Sequence, residues 1–243
     1  MRTFGLIGKT LSHTFSERYF NEKFHKKDIN DAEYKNFELK SIADFPRLIA
    51  DKKLSGLNVT IPYKESIIPF LDDLTDDAKN IGAVNTIQFI DGKTIGHNTD
   101  WIGFSKSIKP LLGDKKTALI LGNGGGAKAI KFALDKLNIK HKTVSRNTSF
   151  DYLDITIQNT DYYKIIINTT PLGTHPKILE FPKINYTDLN SKNLLFDLIY
   201  NPNESRFLQY GKAKGSEIKN GLEMLQIQAE ESWNIWNLQV VKY

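Results

Sequence analysis

The chain has 243 residues, a net charge of +5 and a pI near 9.1. This length suits one large domain or two modest ones. The absence of cysteine excludes disulfide bonds and thiolate metal sites, and it fits a reducing compartment. The lysines are scattered and form no basic stripe, so we expect no nucleic-acid partner. A modest positive field suits small anionic ligands instead.

The apolar part of the N-terminus is too short for a signal peptide, and no apolar run approaches the length of a membrane span. We therefore expect a cytoplasmic protein with no membrane partner. The residues leave open whether it is a monomer or a homodimer.

The first hundred residues alternate between predicted strands and helices. Spacing of the apolar residues predicts a strand over 3–7, a helix over 15–25, a strand over 34–39, a helix over 42–52, a strand over 56–61 and a β-hairpin over 84–96. The hairpin turns at Asp91-Gly92, a dipeptide that favours tight turns.

The pattern changes near Asp100, where a glycine-rich turn and a set of apolar strands follow. The predicted elements are a linking helix over 101–112, a strand over 117–121, a helix that ends at 137, and strands over 142–145, 164–168 and 193–197. A strand, a glycine turn, a helix and a further strand in this order are typical of a doubly wound nucleotide-binding sheet.

The last predicted element is a helix over 222–238 with a strongly apolar stripe. The stripe consists of Leu222, Leu225, Ala229, Trp233 and Trp236. So large an apolar face must be covered, and we expect the helix to pack back on the first domain.

The glycine-rich turn carries a dinucleotide-binding pattern. Gly122, Gly124 and Ala127 match G-x-G-x-x-G/A directly after a strand and before a helix. The first glycine allows the tight turn, the second lets the backbone approach a pyrophosphate, and the helix N-terminus offers free N–H groups. The alternative is a simple glycine-rich turn.

The end of the second strand of this domain indicates which dinucleotide binds. NAD-binding proteins tend to carry an acidic residue there, for the ribose 2′-hydroxyl. This chain has Ser145, Arg146 and Asn147 instead. A guanidinium can pair with a 2′-phosphate through two hydrogen bonds, which favours NADP over NAD. The alternative is a surface arginine at a strand end.

The segment NVTIPYK, residues 58–64, places a lysine just after an apolar run. Its proline fixes its own backbone and favours an extended Ile61, so we expect a strand end that aims Lys64 into a cleft. Such an amine can take part in proton transfer. The alternative is a solvated lysine after a turn.

Seven motifs in order make the chain resemble the shikimate dehydrogenase family over nearly its whole length. They are NVTIPYK at 58–64, GAVNT at 82–86, GHNTD at 96–100, the glycine-rich turn at 122–127, NTTPLG at 168–173, DLIYNP at 197–202 and GLEMLQIQA at 221–229.

The resemblance implies a two-domain α/β fold. Residues 1–100 and 220–243 would form the substrate-binding α/β domain. Residues 101–219 would form a Rossmann-like, doubly wound NADP-binding domain. The segment between Arg146 and Asn168 is short for the family, so this domain is expected to be trimmed.

The resemblance also implies a reversible, NADPH-dependent reduction of 3-dehydroshikimate to shikimate in aromatic amino acid (chorismate) biosynthesis. Lys64 matches the family's catalytic lysine and Asp100 its partner carboxylate. Lys64 could exchange the proton of the reacting oxygen or stabilise charge on it, and the sequence leaves both roles open. Asp100 also suits a helix N-cap before Trp101.

Further site residues are implied by the same resemblance. The substrate-binding positions are Thr14, Ser16, Asn58, Thr60, Lys64, Asn85, Asp100, Tyr200 and Gln228. The cofactor-binding positions are Gly122, Asn123, Gly124, Gly125, Gly126, Ser145, Arg146, Asn147, Thr169, Leu198 and Gly221. Singly, several have a structural alternative, such as a core residue for Tyr200, a helix-flank residue for Gln228 and a turn residue for Asn85.

Some residues depart from the family pattern. The hydroxyl pair for the ring carboxylate is usually two serines, and here its first member is Thr14, while Glu17 stands where proline is common. No histidine and acid spacing predicts a metal site, and His13 and His97 are expected to be structural. Two alternatives stay open: a quinate/shikimate dehydrogenase that uses NAD, and a non-catalytic shikimate/NADP-binding sensor.

Overall fold

The computed structural model describes residues 1–11, 14–51, 53–145 and 162–238. The chain divides into two compact units. The first contains Met1–Thr99 and the chain from Gln228 onward, and the second contains Asp100–Ile227. Among the described residues, no helix combines the length and apolar character that a membrane crossing needs.

The first unit is built on a six-stranded mixed sheet, ordered β2-β1-β3-β5-β6-β4. Its strands are β1 Arg2–Gly8, β2 Ala32–Glu38, β3 Leu54–Val59, β4 Asp73–Leu74, β5 Thr86–Ile90 and β6 Lys93–His97. Its helices are α1 Phe15–Lys26, α2 Phe45–Asp51, α3 Tyr63–Ser66 and α4 Asp76–Ile81. The predicted hairpin is present, with positive φ at Asp91 and Gly92 between antiparallel β5 and β6.

Two predicted elements of this unit differ from the structure. Strand β3 ends at Val59, and Lys64 lies in the short helix α3, not at a strand end. The chain turns after β3 because Tyr63 N–H bonds back to the Thr60 carbonyl, which begins a helical turn. The helix predicted over 42–52 is a 3₁₀ turn over Ile42–Asp44 followed by α2, and residue 52 lies outside the described residues.

The C-terminal part of the last helix packs against β1 and α1, as predicted. Trp233 and Trp236 lie 5.3 and 5.0 Å from the ring of Phe4, measured between ring centroids. Gly56 in β3 leaves the space that Trp236 fills, since a Cβ there would come within 2.5 Å of the indole. The indole N–H donates to the Ile87 carbonyl at 3.0 Å, which fixes the helix on the sheet.

The second unit is built on a five-stranded parallel sheet, ordered β11-β10-β9-β7-β8. Its strands are β7 Thr117–Leu121, β8 Lys140–Val144, β9 Ile165–Asn168, β10 Leu194–Asp197 and β11 Glu217–Lys219. Its helices are α5 Asp100–Ile108, α6 Gly125–Lys136, α7 Arg206–Ala213 and the first turns of α8 Leu222–Asn237. Sequence patterns did not predict α7 and β11.

Both faces of this sheet are covered. Ala118 and Ile120 of β7 point into one apolar cluster, and Leu119 and Leu121 point into another. Such alternation explains the uniformly apolar strand TALIL and confirms the doubly wound fold. Among the described residues, the strand order is the six-stranded dinucleotide-binding order without its third strand. The shortening expected over 147–167 falls mostly outside the described residues.

Candidate active site

Three predicted substrate residues meet in a buried polar network in the first unit. Asn58 is the penultimate residue of β3, Asn85 precedes β5 and Gln228 lies on α8. The Asn85 amide donates to Gln228 Oε1 at 3.3 Å, and the Asn58 amide donates to the Asn85 carbonyl at 3.2 Å. All three residues are buried. Because buried amides keep their dipoles aligned only when hydrogen-bonded, the network presets their orientation.

The same network contains residues that the sequence reasoning missed. Ser232 Oγ lies 2.8 Å from Thr86 Oγ1 and accepts from the Asn58 amide at 3.0 Å. Thr99 N–H donates to Asn85 Oδ1 at 2.7 Å. Thr86 and Thr99 each belong to one of the seven motifs, so their neighbours could have drawn attention to them. Ser232 lies one helical turn after Gln228, and that spacing is its only signal.

The hydroxyl pair near α1 is tied to this network through Tyr34. Tyr34 Oη donates to Asn58 Oδ1 at 2.8 Å and is hydrogen-bonded to the Ser16 side chain. Burial raises the pKa of the Tyr34 phenol well above its usual value, so the hydroxyl stays neutral. The sequence pattern indicated only a strand residue at Tyr34.

Thr14 has a different set of partners. It is the N-cap of α1, where its hydroxyl accepts from Glu17 N–H at 3.4 Å. The same hydroxyl donates to Asn36 Oδ1 at 3.1 Å, and the Asn36 amide donates to the Glu17 carboxylate at 2.7 Å. The unusual Glu17 is therefore part of the support for Thr14. His13 lies outside the described residues.

Thr60 and Lys64 lie beside the buried network in the chain. Thr60 N–H donates to the Ile7 carbonyl at 2.9 Å, which places it at the end of β1. The Lys64 carbonyl accepts from Val84 N–H at 2.7 Å, directly before Asn85. The backbone of Lys64 is thus held against the motif that supplies Asn85, and its side chain is half-buried.

Asp100 and Tyr200 belong to the second unit. Asp100 is the first residue of α5 and is only 5% exposed. A carboxylate at that position is favoured by the helix dipole, but Asp100 is the first helical residue and not the N-cap that the sequence also suggested. Tyr200 is half-buried in the loop after β10.

The glycine-rich turn lies against the end of β9. Gly122 has φ +113°, and a Cβ there would lie 2.5 Å from Thr169 Oγ1. Thr169 N–H and its hydroxyl both donate to the Leu121 carbonyl, at 2.9 and 2.8 Å. Strand order reverses between β7 and β9, and in such sheets ligands bind outside this point. Two predicted cofactor residues are therefore brought together at the expected place.

Open space remains on the other side of the turn. A Cβ at Gly124 would meet nothing within 4 Å, and α6 begins at Gly125. Here a diphosphate could approach the backbone and the free N–H groups of the helix. The residues therefore fit a dinucleotide. Ser145 directly follows β8, whereas Arg146 and Asn147 lie outside the described residues.

Two further predicted cofactor residues, Gly126 and Gly221, pack around Leu198. A Cβ at Gly221 would lie 2.2 Å from the Leu198 carbonyl oxygen, so only glycine fits there. A Cβ at Gly126 would lie 3.5 Å from the Leu198 side chain. The loop after β10 therefore faces the first turn of α6.

Asp197 anchors that loop. Its carboxylate accepts from Ser205 Oγ at 2.5 Å, from Ile199 N–H at 3.0 Å and from the Asn168 amide at 3.0 Å. Burial raises the pKa of Asp197 to about 7, although the three hydrogen bonds act in the opposite direction. Asn168 in turn accepts from Thr170, so one carboxylate joins the NTTPLG and DLIYNP loops.

The surroundings of His97 agree with the structural role expected from the sequence. It lies 3.2 Å from Gln88 Oε1, and burial lowers the pKa of its imidazole. Within the described ranges, no group of three or more His, Asp or Glu side chains could hold a metal ion.

Comparison with known proteins decides the family. A sequence model described as the shikimate dehydrogenase substrate binding domain matches residues 6–87. A shikimate dehydrogenase (NADP(+)) of Clostridium beijerinckii is 38% identical over 97% of this chain and 92% of its own. The chain belongs to the shikimate dehydrogenase family. The family's motifs thus coincide with the network and the glycine-rich turn described above.

Solved structures agree with this membership. The shikimate dehydrogenase of Aquifex aeolicus has a TM-score of 0.87 and 34% identity, and the match covers 100% of this chain and 94% of that one. The shikimate 5-dehydrogenase of Thermus thermophilus, solved in complex with NADP(H) and shikimate, has a TM-score of 0.86 and 26% identity. That match covers 98% of this chain and 94% of the Thermus chain.

Proposed function

We propose that this shikimate dehydrogenase family member catalyses the reversible NADPH-dependent reduction of 3-dehydroshikimate to shikimate, in the route to chorismate and the aromatic amino acids. The observation that carries this proposal is the 38% identity over 97% of the chain to a curated NADP-dependent shikimate dehydrogenase. The buried amide and hydroxyl network around Asn85 supports it, because a triol acid needs many neutral hydrogen-bond partners.

Lys64 and Asp100 are the proposed catalytic pair. NADPH, when bound, would supply a hydride to the carbonyl carbon, so a proton would have to reach the carbonyl oxygen to complete the hydroxyl. Lys64 donates that proton or stabilises the developing negative charge. Asp100 accepts a hydrogen bond from the same hydroxyl and orients it. In the oxidative direction the proton returns by the same groups.

The substrate residues divide by chemistry. Thr14 and Ser16 would bind the ring carboxylate through their hydroxyl groups, supported by Asn36 and Tyr34. The ring hydroxyls and carboxylate would be held by Asn58, Thr60, Asn85, Tyr200 and Gln228. The hydrogen bonds inside the network support this assignment, since amides that are already oriented lose little entropy on binding.

NADP is assigned to the second unit. The cofactor residues there are Gly122, Asn123, Gly124, Gly125, Gly126, Ser145, Arg146, Asn147, Thr169, Leu198 and Gly221. We retain residues 1–100 and 220–243 as the proposed substrate domain, and residues 101–219 as the proposed cofactor domain.

The decisive experiment measures NADPH oxidation by the purified chain with 3-dehydroshikimate, in parallel with NADH. Quinate and shikimate are compared in the reverse direction. We expect NADPH-preferring turnover confined to shikimate and its ketone. Turnover of quinate, or equal use of NADH, would instead assign the chain to the broader quinate/shikimate dehydrogenases. Ligand binding without turnover would identify a sensor.

A further inference from the structure

One cationic side chain reaches the glycine-rich turn from inside helix α6. Lys131 is half-buried, and its Nζ donates to Asn123 Oδ1 at 2.7 Å. Helical side chains lean toward the helix N-terminus, so a residue in the second turn can cover the first. The ammonium group is thereby held beside the exposed second residue of the G-x-G pattern.

The backbone contacts of Gly122, which precedes Asn123, indicate on which side of the turn this pair lies. Gly122 N–H donates to the Val144 carbonyl at 2.7 Å, and Leu121 is paired with Val144 in the sheet. The turn therefore begins against the last residue of β8, immediately before Ser145. In doubly wound sheets the end of this second strand faces the ribose 2′ position.

The electrostatics of Lys131 favour an anion nearby. Burial lowers the pKa of its ammonium group, and the neighbouring charge of Lys128 lowers it further. A partly desolvated cation that is repelled by a neighbouring cation is stabilised when a phosphate dianion binds beside it. The side-chain oxygen of Asn123 accepts the hydrogen bond from Lys131, so the two hydrogens of its side-chain NH₂ group take no part in that bond.

We propose that Lys131, positioned by Asn123, binds the adenosine 2′-phosphate of NADP and is a determinant of NADP preference. This inference rests on the proposed function, because it assigns a further residue to the same cofactor site. A lysine acts there as a point charge, unlike an arginine, which can bind two oxygens at once.

Isothermal titration of the full chain with 2′,5′-ADP and with 5′-AMP tests this inference without turnover. Lys131→Gln should weaken 2′,5′-ADP on the order of tenfold, the usual effect of losing a hydrogen bond to a charged group. Its affinity for 5′-AMP should stay within about twofold. Lys136→Gln removes an exposed lysine from the far end of the same helix and serves as the matched control.

Two further variants keep the test decisive. Asn123→Ala releases Lys131 and should also weaken 2′,5′-ADP selectively, whereas Lys131→Arg should retain most of the affinity. Thermal melts show whether Lys131→Gln, Lys131→Arg or Asn123→Ala fails to fold. If one of them does, the comparison is made with the other two. Equal weakening of both nucleotides, or no change, would overturn the inference. An unchanged preference for NADPH over NADH in Lys131→Gln, in a chain that turns over 3-dehydroshikimate, would overturn the inference and leave the proposed function standing.

Discussion

Gly122 and Thr169 lie so close that a single added methyl group on the glycine would come within 2.5 Å of the threonine hydroxyl. The contact joins the ends of β7 and β9, the point where strand order reverses. Glycine is favoured at this position for a second reason, because Gly122 has φ +113°. The turn that receives the cofactor is therefore defined by a packing contact as well as by glycine's conformational freedom.

Gly122→Ala should introduce an overlap between the new methyl group and the Thr169 hydroxyl. We expect a loss of unfolding free energy of roughly 2 kcal/mol or more, from the positive φ and the overlap together. NADP⁺ affinity should fall with it. Gly113→Ala is the matched control, because Gly113 also has positive φ but open space around it. Denaturant unfolding and NADP⁺ titration give the comparison, and equal losses in the two variants would show that the Thr169 contact is unimportant.

Lys64→Ala tests the proposed catalytic role. We expect turnover of shikimate to fall by roughly 10²–10⁴ while the melting temperature stays near that of the wild type. Steady-state kinetics with NADP⁺ measure the fall. Lys79→Ala removes a lysine whose ion pair with Asp73 is exposed, and should leave turnover unchanged. Near-normal turnover in Lys64→Ala would remove Lys64 from the mechanism.

Arg146→Ala tests cofactor preference. The substitution should raise the KM for NADPH much more than that for NADH, because only NADPH carries the 2′-phosphate. Initial rates with both cofactors at saturating 3-dehydroshikimate provide the measurement. The same loss with both cofactors would mean that Arg146 does not contact the 2′-phosphate.

Tyr34→Phe tests whether the link between Ser16 and Asn58 matters for substrate binding. Loss of the hydroxyl should raise the KM for shikimate several-fold and lower stability by about 1 kcal/mol. Tyr63→Phe is a suitable control, since its buried hydroxyl donates to the Leu39 carbonyl at 2.6 Å and loses one hydrogen bond of the same kind. If both variants changed the KM equally, general loosening of the unit would explain the effect.

Asp197 should make stability depend on pH. Burial raises the pKa of its carboxyl to about 7 in the folded chain, against about 3.9 when unfolded. The folded state thus holds the proton more tightly, so this contribution to stability is present below pH about 4 and is lost as pH rises through about 7.

Asp197→Asn should remove that contribution. The amide oxygen can still accept from Ile199 and Asn168, and the Ser205 hydroxyl can turn to accept from the amide. The free energy of unfolding, measured in urea at about pH 5 and about pH 8, should therefore differ less in the variant than in the wild type. An unchanged pH dependence would mean that Asp197 stays ionised across this range.

Sequence patterns predicted most of the elements because their causes are local. The Asp91-Gly92 turn, the apolar strand before Gly122 and the stripe of α8 each depend on neighbouring residues. The strand predicted over 56–61 is displaced by two residues from β3, Leu54–Val59, because the turn that Tyr63 N–H closes on the Thr60 carbonyl begins directly after Val59. Helix α7 and the short β11 were missed, and so were α4 and β4 in the first unit.

The order of residues along the chain was enough to identify the family and the motif residues. Tertiary structure decided which of them meet. Asn58 and Ser232 are 174 residues apart and share a hydrogen bond, Tyr34 joins Ser16 to Asn58, and Lys131 reaches Asn123 across the first turns of α6. Such contacts arise when separate elements bury their polar groups together, and unpaired polar groups in that interior would cost more than the fold could tolerate.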